Sequence, residues 1–264
     1  MKRLSEIIRK RKTFAIAFSG GVDSTFLAAL AKNVCKEGVV AITADSNFYP
    51  REELKSAIKI AELIGIKHFI VKVDLMDDSN IIMNSKERCY FCKKRVFDSI
   101  KNKAMELGFE TLAHGANIDD LQDYRPGLKA AKEMDIFSPL IEAKMTKSQI
   151  RLASKEMGLS TWDMPTQSCL ATRIPYNQKI TVEKLSKIEA CEHFLNQLGF
   201  LGIRVRYHSD MSNNDIARIE SPQQSIHIMA ERDVRDRINS FFKAHGFKFV
   251  SLNLTGYISG SMNY

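Results

Sequence analysis

The sequence predicts an α/β fold with a doubly wound parallel sheet, followed by a small C-terminal α+β domain. Short apolar runs alternate with helical stretches in the first half of the chain, which is typical of βαβ units. A glycine-rich turn joins the first run to a helix, and the order of elements changes after residue 178. We therefore expect one domain over residues 1–178 and a second over residues 179–264.

The strands of the first domain are predicted from apolar runs that are short and bounded by turn residues. These runs cover residues 13–18, 39–43, 67–73 and 111–115. Helical patterns cover the amphipathic start of the chain and residues 23–36, 50–64, 89–107 and 146–158. Ligands bind beyond the carboxyl ends of the strands in such sheets, so we expect the site at that edge.

The second domain is predicted from a different order of elements. An amphipathic helix over residues 181–199 precedes two strands, and a long helix precedes a third. The strands are expected at residues 200–208, 215–220 and 247–254, and the long helix at residues 223–245. This order favours a small α+β domain with a ferredoxin-like arrangement.

Charge and hydropathy limit the class of protein. The formal net charge of the 264 residues is +8, but basic residues are scattered among acidic ones along the whole chain. This pattern favours a phosphorylated small-molecule substrate over nucleic acid. No apolar run reaches about 18 residues, and the N-terminus lacks the features of a signal peptide. We therefore expect no membrane span and a cytoplasmic location.

The five cysteines are odd in number, which argues against a disulfide framework. Cys35 and Cys191 lie among apolar neighbours on predicted helices and are expected in the core. Cys89 and Cys92 form a C-x-x-C pair at the start of a basic helix, and Cys169 lies far downstream. Zinc, a persulfide relay and a [4Fe-4S] cluster are the alternatives. A fourth zinc ligand is missing, whereas three thiolates suit a cluster with one open iron.

A phosphate-binding loop is predicted where the first strand meets a helix, at the segment SGGVDS over residues 19–24. Gly20 and Gly21 let the backbone turn tightly and approach an anion. The helix N-terminus favours negative charge, and Ser19 and Ser24 add hydroxyl donors. The loop resembles that of the PP-loop ATP pyrophosphatases, which cleave ATP between the α and β phosphates. Asp23 is expected to help hold Mg²⁺ against the pyrophosphate.

Further candidates for the nucleotide site lie after neighbouring strands. In the PP-loop group the turn after the second strand, here with Ala44 and Ser46, lines the adenosine pocket. After the fourth strand, Gly115 allows a close backbone approach, and Asp119 is a candidate to ligate Mg²⁺ or position an adenylate. Arg125 is a candidate to neutralise phosphate charge.

A family resemblance covers nearly the whole chain and rests on the segments AFSGGVDST, RCYFCKKRVF, ANIDDLQDYRPGLKA, TWDMPTQSCLATRIPY, IRVRYHSDMSNNDIARIE and LTGYISGSMN. They resemble the LarE family of sulfur insertases, which help to build the nickel pincer cofactor of lactate racemase. The resemblance implies a PP-loop domain of the adenine nucleotide alpha hydrolase-like fold and a homo-oligomer. It also implies that ATP adenylylates the carboxylates of pyridinium-3,5-biscarboxylic acid mononucleotide, which then become thiocarboxylates.

The same resemblance implies two routes for the sulfur. One branch of the family sacrifices the sulfur of a single cysteine, which matches Cys169. A second branch holds a [4Fe-4S] cluster with a transferable sulfide on three cysteines, which match Cys89, Cys92 and Cys169. This sequence carries the extra pair, so we expect the cluster-bearing branch, with an unknown sulfide donor. Arg173 is near enough in sequence to Cys169 to assist catalysis.

Two positions depart from the family pattern. Ile258 stands where the closing motif commonly has an arginine, and Asn177 stands where a glycine commonly follows Pro-Tyr. Asparagine tolerates the left-handed turn expected there. Arg204, Arg206 and Arg218 remain candidates to bind the substrate phosphate, although alternating arginines are equally expected on the solvent face of a strand.

Two other functions fit parts of the sequence. A tRNA thiolation enzyme would couple the same loop chemistry to sulfur transfer, and the basic charge favours it. A non-catalytic nucleotide sensor with an iron–sulfur centre would use the loop and the cysteines without a carboxylate substrate. The length of the resemblance favours the sulfur insertase.

Overall fold

The computed structural model describes residues 1–122 and 126–258. Contacts divide this part of the chain into two compact units. The first comprises Met1–Ile81 and Glu87–Gln167, and the second comprises Ile82–Lys86 and the chain from Ser168 onward. The expected division after residue 178 assigned residues 168–178 to the first domain, whereas these contacts group them with the second unit.

The first unit is built on a four-stranded parallel sheet. Its strands are β1 (Phe14–Ala17), β2 (Val39–Asp45), β3 (Lys67–Lys72) and β4 (Leu112–His114). They lie in the order β3-β2-β1-β4, and each neighbouring pair is parallel. The helices along this part of the chain are α1 (Lys2–Arg11), α2 (Val22–Cys35), α3 (Arg51–Ile64), α4 (Ser79–Ile82), α5 (Arg88–Glu106), α6 (Pro126–Glu133), α7 (Pro139–Glu142) and α8 (Lys147–Glu156). The predicted α/β fold is confirmed.

The core of the first unit surrounds the central strand. Phe14 and Ile16 on β1 and Phe26 on α2 are completely buried, as are Leu4 and Ile8 on the amphipathic helix α1. Each side chain of this size contributes about 1.5–3 kcal/mol when it is fully buried. The loop that follows β1 therefore begins from a rigid part of the molecule.

The second unit contains a three-stranded sheet. Its elements are α9 (Val182–Gln197), β5 (Arg204–Ser209), β6 (Asp215–Glu220), α10 (Ile226–Ala230), α11 (Arg232–Ala244) and β7 (Phe249–Leu252). β6 pairs antiparallel with β5 and parallel with β7. The unit is α+β as expected, but the adjacency of β6 to the next strand, β7, differs from a split βαβ order.

Two elements of the second unit differ from their predicted bounds. The helix expected over residues 223–245 is interrupted at Glu231, whose extended backbone (φ −59°, ψ 142°) caps the start of α11. The strand expected from residue 200 begins only at Arg204, because Gly202 has a positive φ of 71°. Asn177 has a φ of 64°, the left-handed conformation expected for it.

The short segment 82–86 is bound to the second unit through Asn84. Its side chain is completely buried, and the amide donates to the carbonyls of Ile174 (3.1 Å) and Pro175 (2.8 Å). The Asn84 carbonyl accepts from the backbone of Asn177 (3.0 Å). In the described residues, no helix combines the length and the apolar character that crossing a bilayer requires.

Candidate active site

The loop after β1 has a backbone that only glycine can adopt at its second position. Gly20 has a φ of 73°, and a Cβ built there would lie 2.9 Å from the Cα of Ala57 on α3. A larger residue would therefore be strained and would also collide with the neighbouring helix. Gly21 follows with extended backbone as the N-cap of α2, so the first N–H groups of that helix point into the loop.

The two serines of the loop have different surroundings. The Ser24 hydroxyl is buried, donates to the Gly21 carbonyl (3.2 Å) and accepts from the backbone N–H of Ser19 (3.3 Å). The Ser19 hydroxyl lies 3.1 Å from that of Ser24 and is on the exposed side of the loop. Because the Ser24 proton goes to Gly21, the Ser19 hydroxyl donates its own proton to Ser24. Both serines thus stabilise the loop, and donation from Ser19 to a phosphate stays a prediction.

Asp23, on the first turn of α2, carries the negative charge of the loop. Its Oδ2 accepts a hydrogen bond from the Lys147 ammonium, whereas its Oδ1 is buried without a hydrogen-bond partner. Burial raises the pKa of Asp23; Lys147 opposes this effect and the nearby Asp120 adds to it. A buried carboxylate oxygen without a partner is costly, so this position favours a bound cation.

Lys147 links Asp23 to the acidic loop after β4. It is the first residue of α8, where Thr146 and Gln149 form a capping box. Its backbone N–H donates to Oδ2 of Asp119 at 2.7 Å, while its side chain reaches Asp23. Sequence reasoning missed Lys147; the T-x-x-Q capping signature was the signal that places it at a helix N-terminus.

The remaining nucleotide candidates that the structure describes lie at the ends of β2 and β4. A Cβ on Gly115 would lie 2.9 Å from the backbone nitrogen of Ser24, so this glycine permits the contact between the end of β4 and α2. After β2, the Arg51 side chain binds Asp45 and the carbonyl of Ser46. Ala44 is the penultimate residue of β2. Arg125 lies outside the described residues.

The C-x-x-C pair occupies the first turn of α5. Cys89 and Cys92 are three residues apart, so their side chains lie on one side of the helix. The Arg88 guanidinium is almost fully buried and donates to the Cys89 sulfur at 3.5 Å. The start of α5 thus brings a buried guanidinium into contact with the first sulfur of the pair.

In the second unit, the Arg173 side chain binds the backbone carbonyls of Ser168 and Cys169 and the carboxylate of Glu192. Its Nε and Nη2 each bind a carboxylate oxygen of Glu192 at 2.9 Å. Its Nη1 donates to the carbonyls of Ser168 (2.7 Å) and Cys169 (3.0 Å). These contacts show that Arg173 holds the Cys169 segment in place, and the catalytic role expected for it stays a prediction.

The three candidate phosphate ligands share a neighbourhood but differ in their partners. Arg206 and Arg218 bind opposite oxygens of the completely buried Glu220, at 2.7 Å and 2.9 Å. The Arg204 guanidinium lies 5.4 Å from the centre of the Tyr257 ring. Burial lowers the pKa of Arg204, and the positive charges of Arg173 and Arg206 add to this effect. A bound anion beside Arg204 would relieve that repulsion.

In residues 1–122 and 126–258, no three His, Cys, Asp or Glu side chains are grouped so that they could hold a metal ion.

Fold and site together define a class of protein. Strand β1 of the parallel sheet leads through SGGVDS into α2, which is the arrangement of a PP-loop ATP pyrophosphatase. In agreement, the family model of Queuosine biosynthesis protein QueC matches residues 13–90.

Similar proteins narrow this class to one family. The chain is 34% identical over 249 residues to pyridinium-3,5-bisthiocarboxylic acid mononucleotide synthase of Lactiplantibacillus plantarum, covering 94% of this chain and 88% of that protein. The chain belongs to this family, the LarE family of ATP-dependent sulfur-inserting enzymes.

The chain is also similar to two further proteins. An uncharacterized protein of Synechocystis sp. (slr1717) is 42% identical over 94% of this chain and 91% of its own. A tRNA-specific 2-thiouridylase of Rickettsia peacockii is 24% identical over 67% of this chain and 58% of its own.

Proposed function

We propose that this protein transfers sulfur to pyridinium-3,5-biscarboxylic acid mononucleotide during nickel pincer cofactor synthesis. The observation that carries this proposal is the similarity, over most of both chains, to a synthase named for the bisthiocarboxylic acid product. Forming a thiocarboxylate from a carboxylate requires that an oxygen leave, and a free carboxylate oxygen is a poor leaving group. ATP overcomes this by converting that oxygen into part of AMP.

The first step is adenylylation at the loop. A carboxylate oxygen of the substrate attacks the α-phosphorus of ATP, the bond to the β-phosphate oxygen breaks, and pyrophosphate leaves. The N–H groups at the start of α2, and the Ser19 hydroxyl once it turns from Ser24 to the phosphate, would stabilise the charge that develops on the pyrophosphate. In the second step a sulfur nucleophile attacks the acyl carbon, and AMP leaves with the oxygen.

Mg²⁺ is part of this proposal because Asp23 offers a fitting ligand. Its Oδ1 is a buried carboxylate oxygen with no hydrogen-bond partner, and hard oxygen ligands suit this ion. The bound ion would neutralise phosphate charge. Lys147, which holds the other oxygen of Asp23, keeps the carboxylate in place.

The source of the transferred sulfur is the next part of the proposal, and it rests on the chemistry of three cysteines. Cys89, Cys92 and Cys169 would hold a [4Fe-4S] cluster, which supplies a transferable sulfide when it is bound. Thiolates are the ligands that such clusters use, and two of the three cysteines lie three residues apart at the start of α5. Without a cluster, the Cys169 thiolate would attack the acyl carbon and displace AMP. Elimination across the Cα–Cβ bond would then break the Cβ–S bond, release the thiocarboxylate and leave dehydroalanine at position 169.

The function is tested with purified protein, Mg²⁺–ATP and the pyridinium dicarboxylate mononucleotide. We expect pyrophosphate release that depends on the mononucleotide, and a product whose mass reports exchange of oxygen for sulfur. Cys169→Ser should release pyrophosphate and transfer no sulfur, while Cys35→Ser serves as the matched control. Release of no pyrophosphate with this substrate would contradict the proposal.

The source of sulfur is tested separately, by iron and acid-labile sulfide per chain after purification without oxygen. About four irons, lost in Cys89→Ser, would support the three-cysteine cluster. Protein without iron, in which Cys169 loses its sulfur after one turnover, would support the sacrificial route instead.

A tRNA thiolation activity is the second candidate, and the similarity to a 2-thiouridylase favours it. If the protein forms a thiolated nucleoside in tRNA and has no activity on the mononucleotide, tRNA thiolation is its function instead of sulfur transfer to the mononucleotide. A cytoplasmic location and a homo-oligomeric state also belong to the proposal. Cell fractionation and light scattering test them.

A further inference from the structure

A chain of hydrogen bonds reaches the first peptide of the nucleotide loop from the edge of the sheet. His68 on β3 lies with its Nε2 2.8 Å from the hydroxyl of Thr43 on β2. The Thr43 hydroxyl in turn donates to the carbonyl of Phe18 at 2.7 Å. Phe18 follows β1 and directly precedes Ser19, the first residue of the loop.

The number of available protons fixes the donor and the acceptor of each of these hydrogen bonds. Thr43 has one hydroxyl proton, and the Phe18 carbonyl can only accept it. His68 must therefore donate its Nε2 proton to Thr43, which sets the tautomer of the imidazole. Burial lowers the pKa of His68, so the ring stays neutral near pH 7. The Phe18 ring packs edge-on against His68 with centroids 5.7 Å apart and limits its rotation.

Fixing the Phe18 carbonyl also fixes the first N–H group of the loop. The carbonyl of Phe18 and the N–H of Ser19 belong to one planar peptide unit, so they turn together. That N–H donates to Ser24, and the backbone N–H of Phe18 donates to Ile42 (2.9 Å). The Phe18–Ser19 peptide is thus held at two opposite edges of its plane, through its carbonyl by Thr43 and through its N–H by Ser24, and the preceding peptide is held by Ile42.

We propose that Thr43 and His68 are positioning residues for ATP, which act by orienting the peptide between Phe18 and Ser19. Neither residue need touch the nucleotide. The proposal rests on the assignment of residues 19–24 as the ATP site. It predicts an effect on nucleotide binding that exceeds the effect on stability, because a misoriented N–H alters the loop while the sheet around it remains paired.

The experiment compares Thr43→Val with Thr43→Ser in the full-length protein. Valine keeps the shape and removes the hydroxyl, whereas serine keeps the hydroxyl. The affinity for α,β-methylene ATP is measured by calorimetry, and the free energy of unfolding by urea titration. We expect Thr43→Val to weaken nucleotide binding roughly 3- to 10-fold, as expected for one lost hydrogen bond, and Thr43→Ser to restore it.

Two further variants separate positioning from general destabilisation. Thr161→Val is the matched control, because Thr161 is buried in the same unit and its hydroxyl has no partner. His68→Phe keeps an aromatic ring against Phe18 and should weaken binding less than Thr43→Val. Combining the two variants should add nothing further, because His68 acts only through Thr43.

The proposal is overturned if Thr43→Val binds the analogue as tightly as the unaltered protein. It is equally overturned if Thr43→Ser is as weak as Thr43→Val, or if His68→Phe weakens binding further in the Thr43→Val background. Failure of the unaltered protein to bind the analogue would instead reject the ATP site itself, so the two failures are distinguishable.

Discussion

Both units contain carboxylates that are largely buried, but the hydrogen-bond and ion-pair partners of these carboxylates differ. In the first unit, Asp23 shares one carboxylate oxygen with Lys147 and keeps the other buried without a partner. In the second, both oxygens of the completely buried Glu220 are bound by arginines, and Glu192 is bound in the same way by Arg173.

This difference separates carboxylates whose charge is fully paired within the fold from one that we expect to bind a cation. A carboxylate whose oxygens all have partners gains little from another cation, and removing it leaves buried guanidinium groups without a counter-charge. A carboxylate with an unpartnered buried oxygen lowers stability until a cation arrives. Similar residue types therefore have opposite effects on stability and on binding, and variants can test this.

The largest effect is expected for Glu220→Gln. Arg206 and Arg218 would lose their common counter-charge in a buried position, which costs about 3–5 kcal/mol in the free energy of unfolding. Urea titration measures it. Glu52→Gln, which removes an exposed pair with Lys55, is the control and should barely change the value. Equal effects of the two variants would show that the buried arginine pairs of Glu220 contribute no more to stability than an exposed ion pair.

The next largest effect, on the rate of pyrophosphate release, is expected for Asp23→Asn. The amide keeps the shape but removes the charge that would hold Mg²⁺, so we expect pyrophosphate release to fall roughly 100-fold or more. The free energy of unfolding should change far less than in Glu220→Gln, because the replaced carboxylate is itself poorly solvated. A normal rate at ordinary Mg²⁺ concentrations would show that Asp23 does not bind the ion.

Acid pH should act on the first unit through His114 at the end of β4. Burial lowers the pKa of His114 to about 4, and its Nε2 lies 2.7 Å from the Ser138 hydroxyl. An unfolded histidine titrates near 6.5, so between these values the unfolded state binds more protons and stability falls as pH falls. The free energy of unfolding should decrease by at most about 3 kcal/mol between pH 7 and pH 4 through this group.

Urea titrations between pH 7 and pH 4 measure this loss. His114→Asn should flatten the dependence on pH, whereas His193→Asn, at an exposed position on α9, is the control and should leave it as it is. A curve for His114→Asn that parallels the unaltered protein would assign the acid sensitivity to other groups.

The smallest effect is expected for Arg204→Ala. If Arg204 binds the substrate phosphate, the KM for the mononucleotide should rise roughly tenfold with little change in kcat, as for one charge-assisted hydrogen bond. Arg206→Ala should lose stability instead, because it removes a partner of Glu220. An unchanged KM in Arg204→Ala would place the phosphate elsewhere.

The sequence was sufficient to predict features that depend on local pattern. Short apolar runs predicted all four strands of the parallel sheet, and glycine spacing predicted the loop, because both signals lie within a few residues. The left-handed backbone of Asn177 was likewise predictable from residue type.

Features that depend on long-range contacts could not be predicted in this way. Lys147 reaches Asp23 across 124 positions in the sequence, and Glu192 reaches Arg173 across 19. The break at Glu231 also escaped prediction, because the helical pattern continues through it and only the cap geometry ends one helix and begins the next.

The insertion of residues 82–86 into the second unit bears on how these proteins could be dissected or recombined. The chain passes between the units at 81/82, 86/87 and 167/168. A fragment that begins at Ser168 would lack Asn84, whose amide satisfies the carbonyls of Ile174 and Pro175. The C-terminal unit is thus not a detachable module, and a chimera between relatives must exchange this short internal segment together with the C-terminal part.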